Sequence, residues 1–95
     1  MLKHSEIIGD YITQPVIEDY IKHGNQIDLI LKFSSLECTF FTYAKFVNKP
    51  VVRQILTQRH DPRNFKNIHR AMNWAKNIGF KSVHMTVDLS CYAID

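Results

Sequence analysis

The sequence predicts an α+β fold: a two-layer sandwich with an antiparallel meander sheet and two helices on one face, in the order α-β-β-β(-β)-α-β. Two stretches place apolar residues at helical spacing between capping signals, and several others alternate between apolar and polar residues as strands do. The 95 residues are 45% hydrophobic and 12% aromatic, which is sufficient for one core. We therefore expect a single α+β domain over residues 1–95.

The first part of the chain predicts a weak helical turn followed by a firmer helix. Ser5 is a suitable N-cap for a short helix with apolar residues at positions 7, 8, 11 and 12, although Gly9 weakens it. The firmer helix is expected over Pro15–His23, because proline suits a first turn and Gly24 is a stop signal. Its predicted buried stripe consists of Val16, Ile17, Tyr20 and Ile21.

The middle of the chain predicts the meander. Residues Ile27–Phe33 alternate cleanly, and an aromatic-rich second strand is expected over Leu36–Val47. A third strand is expected over Val51–Arg59. The turn His60-Asp61-Pro62 then leads to a short return segment at Arg63–Phe65.

A second helix and a last strand complete the predicted order. Asn67 is a suitable N-cap and Gly79 a suitable C′ residue for this helix. Residues Val83–Leu89 then alternate, which predicts a half-buried final strand. The predicted buried stripe of the second helix consists of Ile68, Ala71, Met72, Ala75 and Ile78.

Catalysis and metal binding are not predicted. His60-Asp61 resembles an oriented general base, but no paired nucleophile or phosphate-cradling glycine loop accompanies it. The five histidines and two cysteines lack the close spacing of zinc sites. We therefore expect no enzymatic activity, no metal, no cofactor and no small-molecule substrate.

The composition also predicts an intracellular location. Cys38 and Cys91 are too few for a secreted disulfide scaffold, and both are expected to be reduced and structural. No apolar run approaches the roughly 18 residues that cross a bilayer. We expect a cytoplasmic protein without membrane contact.

Charge is distributed unevenly along the chain. Residues 45–81 contain nine Lys and Arg against the single carboxylate of Asp61, a net charge of +8. Residues 1–44 contain three lysines against six acidic residues, and Asp88 and Asp95 add two more negative charges. Gathered on one surface, the basic middle would suit phosphate backbones or an acidic protein. The alternative is that these cations scatter over the surface.

Basic and amide side chains in this middle part form the candidate nucleic-acid surface. In the second helix, residues 66, 70, 73 and 77 line one side, where cations contact phosphates and asparagines reach base edges; the alternative is an ordinary solvated helix face. Arg59 and Arg63 bracket the predicted turn, where the alternative is that Asp61 pairs with one of them. The full candidate set is Arg53, Arg59, Arg63, Lys66, Arg70, Asn73 and Asn77.

Three aromatic residues have two interpretations each. Trp74 lies at the edge of the second helix's apolar stripe, where it either closes the core or anchors a partner. Phe41 and Tyr43 would stack on bases if their face of the sheet were open, and would pack if the helices covered it.

A segment of about 25 residues resembles a known group of proteins. Its residues are Leu56-Thr57-Gln58-Arg59, Arg63-Asn64-Phe65-Lys66, Ala71, Trp74-Ala75 and Gly79-Phe80. It is similar to a hairpin-helix segment in small plasmid and mobile-element proteins of the ParC-type, partition-associated kind. This chain departs from that pattern at His60, where glycine is expected. The resemblance implies an accessory role in DNA maintenance, with DNA or a ParA/ParB-like nucleoprotein complex as partner, and no enzymatic activity.

Two functional hypotheses follow. The first is a nucleic-acid-associated accessory protein whose hairpin and second helix contact phosphates. The second is a protein-interaction module, either an inhibitor or a homodimeric adaptor, in which the third or the last strand pairs with its copy through an exposed sheet edge.

Overall fold

The computed structural model describes residues 7–8 and 11–87 of the chain, and of residues 7 and 8 only the backbone. Two helices and seven strands are assigned within these residues. In chain order they are β1 (Ile7–Ile8), β2 (Ile12–Thr13), α1 (Gln14–Lys22), β3 (Ile27–Ser34), β4 (Thr39–Phe46), β5 (Val51–Leu56), β6 (Asn64–Phe65), α2 (Ile68–Ile78) and β7 (Val83–Val87).

The strands form a mixed sheet in the order β1-β5-β4-β3-β7, with β2 also on β5 and β6 also on β4. The pairs β3–β4, β4–β5 and β4–β6 are antiparallel, as the predicted meander requires. However, β7 runs parallel to β3, and β1 and β2 run parallel to β5. The α+β class is thus confirmed, whereas a purely antiparallel sheet is wrong.

The two helices explain the parallel pairs. Both β2–α1–β3 and β6–α2–β7 are crossover connections, in which a helix returns the chain to the end of the sheet where the first strand began. Strand β6 is antiparallel to β4, so it runs in the direction of β3, and α2 brings β7 back into that same direction. The sequence predicts that α2 covers one face of the sheet, but it does not predict that α2 is also a crossover between parallel strands.

Both helices cover one face of the sheet. Ile17 of α1 and Ala71 and Ala75 of α2 are buried against β3, β4 and β5. The core residues contributed by these strands are Ile27, Leu29, Leu31, Ala44, Phe46 and Ile55. The opposite face carries no helix among the described residues.

The N-terminal helix prediction is wrong where the structure describes it. Residues 7–8 and 12–13 are extended and pair in parallel with β5. Their β-branched side chains favour extended backbone, which accounts for the outcome. The predicted cap Ser5 lies outside the described residues. Because β1 and β2 occupy one side of β5 and β4 the other, the third strand is not a free edge.

Helix α1 matches its prediction with a shift of one residue. It begins at Gln14, with proline in its first turn, and ends at Lys22. Ile17 is fully buried, and Tyr20 and Ile21 pack on the core. Val16 is 43% exposed, so its predicted place in the buried stripe is wrong.

The capping prediction for α2 is confirmed. The Asn67 Oδ1 accepts hydrogen bonds from the backbone N–H groups of His69 (2.8 Å) and Arg70 (3.2 Å). Gly79 follows the helix with φ +108°, a conformation that strains any residue with a Cβ. Met72, predicted in the buried stripe, is exposed at the margin of that stripe.

Two strands are shorter than predicted, and one is less buried. Residues 35–38 form a turn, so Cys38 is exposed, a free thiol and at positive φ (+53°) rather than inside a strand. Strand β5 ends at Leu56, before the predicted Arg59. In β7, Met85 and Val87 are 48% and 41% exposed, contrary to the half-buried strand that was predicted. Leu89 and Cys91 lie outside the described residues.

Candidate nucleic-acid interface

Arg63 has the most constrained backbone of the candidate cations. It lies between the end of β5 and the start of β6. Its N–H donates to the carbonyl oxygen of Ile55 at 2.9 Å, and its own carbonyl accepts the buried hydroxyl of Thr42 at 2.8 Å. Two neighbouring strands therefore fix the point from which the Arg63 side chain projects.

The Arg63 guanidinium lies between two aromatic rings. Its Cζ is 5.4 Å from the ring centroids of both Phe65 and Trp74, within the range of cation–π contacts. The Nε is enclosed by protein and has no hydrogen-bond partner in the part of the chain that the structure describes. No ion pair of Arg63 with a carboxylate occurs among the described residues. The charge of Arg63 is thus positioned by aromatic contacts and is not neutralised there.

Trp74 connects the two helices. Its Nε1–H donates to Gln14 Oε1 at 3.1 Å, and Gln14 Nε2 in turn donates to Glu18 Oε2 at 3.1 Å. Its ring lies against those of Phe65 and Phe80, with centroids 5.2 and 5.7 Å away. These contacts favour the core-edge interpretation of Trp74 over that of a partner anchor. They also give Arg63 a fixed ring to rest on.

A cleft of about 270 Å³ lies beside Arg63 and Trp74, between α1 and the end of β5. Its other walls include Thr57 and Gln58 of the β5–β6 turn. The Thr57 Oγ1 accepts from the N–H groups of Arg59 (3.3 Å) and Asp61 (3.2 Å), so one side chain holds this turn. Arg59 follows Gln58 in this turn; its side chain is exposed and does not line the cleft.

Asp61 does not neutralise the arginines that bracket it. Its carboxylate forms no ion pair with Arg59 or Arg63 in the part of the chain that the structure describes. The sharp turn is formed with His60 at φ +69°, whose ring lies 4.9 Å from that of Tyr11. Glycine, expected here from the resemblance, would adopt this φ without strain but would lack the ring contact.

Lys66 and Arg70 share a shallow recess of about 480 Å³ at the start of α2. Phe65 lines this recess and also contacts Arg63, so it joins the three cations into one region. Asn73 and Asn77 are exposed and follow Arg70 by three and seven residues, which places them on the same side of α2. We call the residues Arg63, Lys66, Arg70, Asn73 and Asn77 the β6–α2 basic surface.

Arg53 lies elsewhere. Its Cζ is 5.9 Å from the ring of Phe46, and the Nζ of Lys49 is 6.0 Å from the same ring. Arg53 is in register with Ala44, four residues along β4 from Phe40, which pairs with Phe65, so about 13 Å along the strand separates the two backbone positions. The structure does not bring Arg53 together with the β6–α2 basic surface.

Phe41 and Tyr43 lie on the sheet face that faces away from both helices, as their alternation with core residues requires. The Nζ of Lys32 is 4.8 Å from the Tyr43 ring centroid. Burial raises the pKa of the Tyr43 hydroxyl, because desolvation disfavours the phenolate. Neither of the two described helices covers these rings, but a base stacking on Tyr43 would have to displace Lys32.

One polar cluster on the sheet face opposite the helices is not predicted from the sequence. The Nε2 of His84 lies 3.2 Å from Ser82 Oγ and 3.5 Å from Asp28 Oδ2. Serine and carboxylate approach the same ring nitrogen, whereas a Ser-His-Asp relay uses both nitrogens. Only the parallel pairing of β3 with β7 brings Asp28 and His84 together, and no local sequence signal announces it.

Metal-ligand groups, membrane-spanning helices and similar proteins are three further sources of functional information. The described part of the chain contains no group of three or more His, Cys, Asp or Glu side chains able to hold a metal ion. Neither of its two helices has the length and apolar character needed to cross a membrane. Comparison with protein-family models, with curated proteins and with solved structures gave no match.

Proposed function

We propose that this chain is a non-enzymatic nucleic-acid-binding protein whose β6–α2 basic surface contacts the phosphate backbone. One observation carries the proposal: Arg63, Lys66 and Arg70 converge around Phe65, and none of them is paired with a carboxylate among the described residues. Clustered cations without counter-charges are the electrostatic footprint of proteins that bind polyanions.

Each side chain has a distinct part in this proposal. Arg63 presents a guanidinium already held on two rings, so less side-chain entropy is lost when it binds a phosphate. Lys66 and Arg70 extend the contact along the backbone of the nucleic acid. Asn73 and Asn77 lie further along α2, where their amides are suited to base edges. Trp74 positions Arg63.

The salt dependence of affinity tests the proposal. If three cations each neutralise one duplex phosphate, log affinity falls with log salt with a slope of about −2.7. Fluorescence anisotropy with labelled duplex and single-stranded DNA and RNA, over about 50 to 200 mM salt, measures this slope. Alanine at Arg63, Lys66 or Arg70 should each reduce its magnitude by about 1.

Lys76 supplies the matched control. Lys76 is exposed on α2, the helix at whose start the recess of Lys66 lies. Its position along the helix places it on a different side from Arg70, Asn73 and Asn77. Lys76→Ala should leave the slope unchanged although it removes the same charge as Lys66→Ala. Equal effects of the two substitutions would show net charge to be sufficient. Failure to retain any duplex or single strand at about 50 mM salt would overturn the proposal.

Within this proposal, the resemblance of the segment around residues 56–80 favours a cytoplasmic role in the maintenance of plasmid or other mobile-element DNA, beside a ParA/ParB-like complex. A role in DNA maintenance requires the chain to bind duplex DNA more tightly than RNA of the same length and sequence at equal salt. Tighter binding of RNA would remove the DNA-maintenance part and leave the phosphate-binding part standing.

A further inference from the structure

Among the described residues β7 is an edge strand, and its own sequence lacks the residues that usually protect such an edge. One side of it pairs with β3, and no described strand pairs with the other side. Its five residues, Val-His-Met-Thr-Val, include no proline, lysine, arginine or carboxylate. Natural sheets normally blunt exposed edges with such residues, because unpaired backbone groups recruit other strands. An edge that lacks them is suited to pairing.

The outward backbone groups of β7 are identified by its pairing with β3. The N–H of Leu29 donates to the carbonyl of Ser82 at 2.9 Å, and Leu29 is in register with Val83. Because alternate residues of a strand direct their N–H and C=O groups to opposite sides, Ser82, His84 and Thr86 face β3. The N–H and C=O groups of Val83, Met85 and Val87 therefore point to the free edge.

The side chains of the same three residues form an apolar strip. Val83, Met85 and Val87 lie on the helix-bearing face, in register with Leu29, Leu31 and Phe33. The helices do not reach across them fully, and Met85 and Val87 remain 48% and 41% exposed. The free edge thus combines exposed apolar side chains with backbone groups that no described strand pairs.

We propose that a second copy of this chain pairs antiparallel with β7 about a two-fold axis at Met85. This register sets Met85 opposite its copy and Val83 opposite Val87, so every outward N–H and C=O of the three residues gains a partner. On the other face it sets His84 opposite Thr86. The alternation of apolar and polar residues in this strand is the same in both directions, which suits an isologous pair.

Charge favours a second copy over the nucleic acid of the proposed function. Strand β7 carries no lysine or arginine, so a nucleic acid at this edge would find no cationic side chain of the strand to contact. Two copies of a strand without formal charge also bring no like charges into direct opposition, which would otherwise destabilise the pair. The interface is therefore independent of the β6–α2 basic surface and is tested without nucleic acid.

Light scattering coupled to size exclusion tests the dimer on the full chain. The wild type should have about twice the 11.2 kDa mass of one chain. Met85→Lys places two lysines opposite each other at the axis and should yield monomers. Met72→Lys is the matched control, because Met72 is also exposed but lies on α2, and this variant should remain a dimer. A monomeric wild type, a dimeric Met85→Lys variant or a monomeric Met72→Lys variant would each contradict the proposal.

Cysteine cross-linking tests the register. In a chain carrying Cys38→Ser and Cys91→Ser, Met85→Cys places two thiols on residues whose Cα atoms are about 5.5 Å apart, within the range of a disulfide. Val83→Cys places its two thiols about 13 Å apart along the strands. Mild oxidation should cross-link the first variant and not the second, and the reverse pattern would overturn the register. Circular dichroism of each variant confirms that it is folded.

Discussion

The start of α2 and the edge at β7 differ in the way their properties arise. The start of α2 is specified locally: Asn67 caps the helix, and the cations of the β6–α2 basic surface follow at short spacing. The edge at β7 depends on distant residues, because pairing with β3 decides which of its groups face outward. One region is charged and suited to a polyanion, whereas the other carries no formal charge and is suited to a copy of itself. Local sequence signals predict the first kind of surface, whereas for the second they leave open whether the third or the last strand is the exposed edge.

The largest expected effect concerns a residue on which the edge depends. Leu31 is fully buried in β3 and in register with Met85 of β7. Leu31→Ala should lower the free energy of unfolding by about 2–5 kcal/mol, because it removes apolar burial and leaves a cavity. Chemical denaturation measures the change. A loss below about 1 kcal/mol would contradict the placement of Leu31 in the tightly packed core.

Loss of the α2 cap should have a smaller and more local effect. Asn67→Ala removes the oxygen that accepts from the N–H groups of His69 and Arg70, at a cost of about 1 kcal/mol. Hydrogen exchange should accelerate at the first turn of α2 while the strand amides of β7 change only with the global stability. Preferential loss of protection at β7 would show that the two regions are coupled, against the comparison drawn above.

The features that the sequence predicts are those specified by nearby residues, and the features that it does not predict depend on distant residues. The bounds of α2 follow from Asn67 and Gly79, which act within a few residues of themselves. The exposure of Met85 does not, because alternation predicts which residues share a face but not whether a helix extends over it. The link from Trp74 to Gln14 joins residues 60 positions apart, and no local pattern marks it.

The candidate site divides in the same manner. Lys66 and Arg70 line one recess at the start of α2, and their spacing of four residues predicts that they lie on one side. Charge alone groups Arg53 with them, but the strand register places it opposite Ala44 in the second half of β4, away from Phe65. The neutralisation of Arg63 by Asp61, weighed as an alternative, does not occur among the described residues.

The smallest expected effect belongs to the sheet face outside both regions. Burial raises the pKa of Tyr43 above its usual 10.0, so the folded chain holds this proton to higher pH than the unfolded chain does. Above about pH 10 the unfolded state binds fewer protons, and stability should fall as the pH rises. Tyr43→Phe should remove this part of the alkaline decline in denaturation curves. If stability declines at alkaline pH in this variant as it does in the wild type, the decline arises from groups other than Tyr43.

A single titration tests the central claim most directly. Amide chemical shifts of the ¹⁵N-labelled chain, followed by NMR as a short DNA duplex is added at low salt, report which surface the duplex touches. The proposal predicts the largest changes at Arg63, Lys66, Arg70 and Asn73, with the edge residues of β7 and the surroundings of Arg53 little affected. Changes centred on β7 or on Arg53, or none at all, would contradict it.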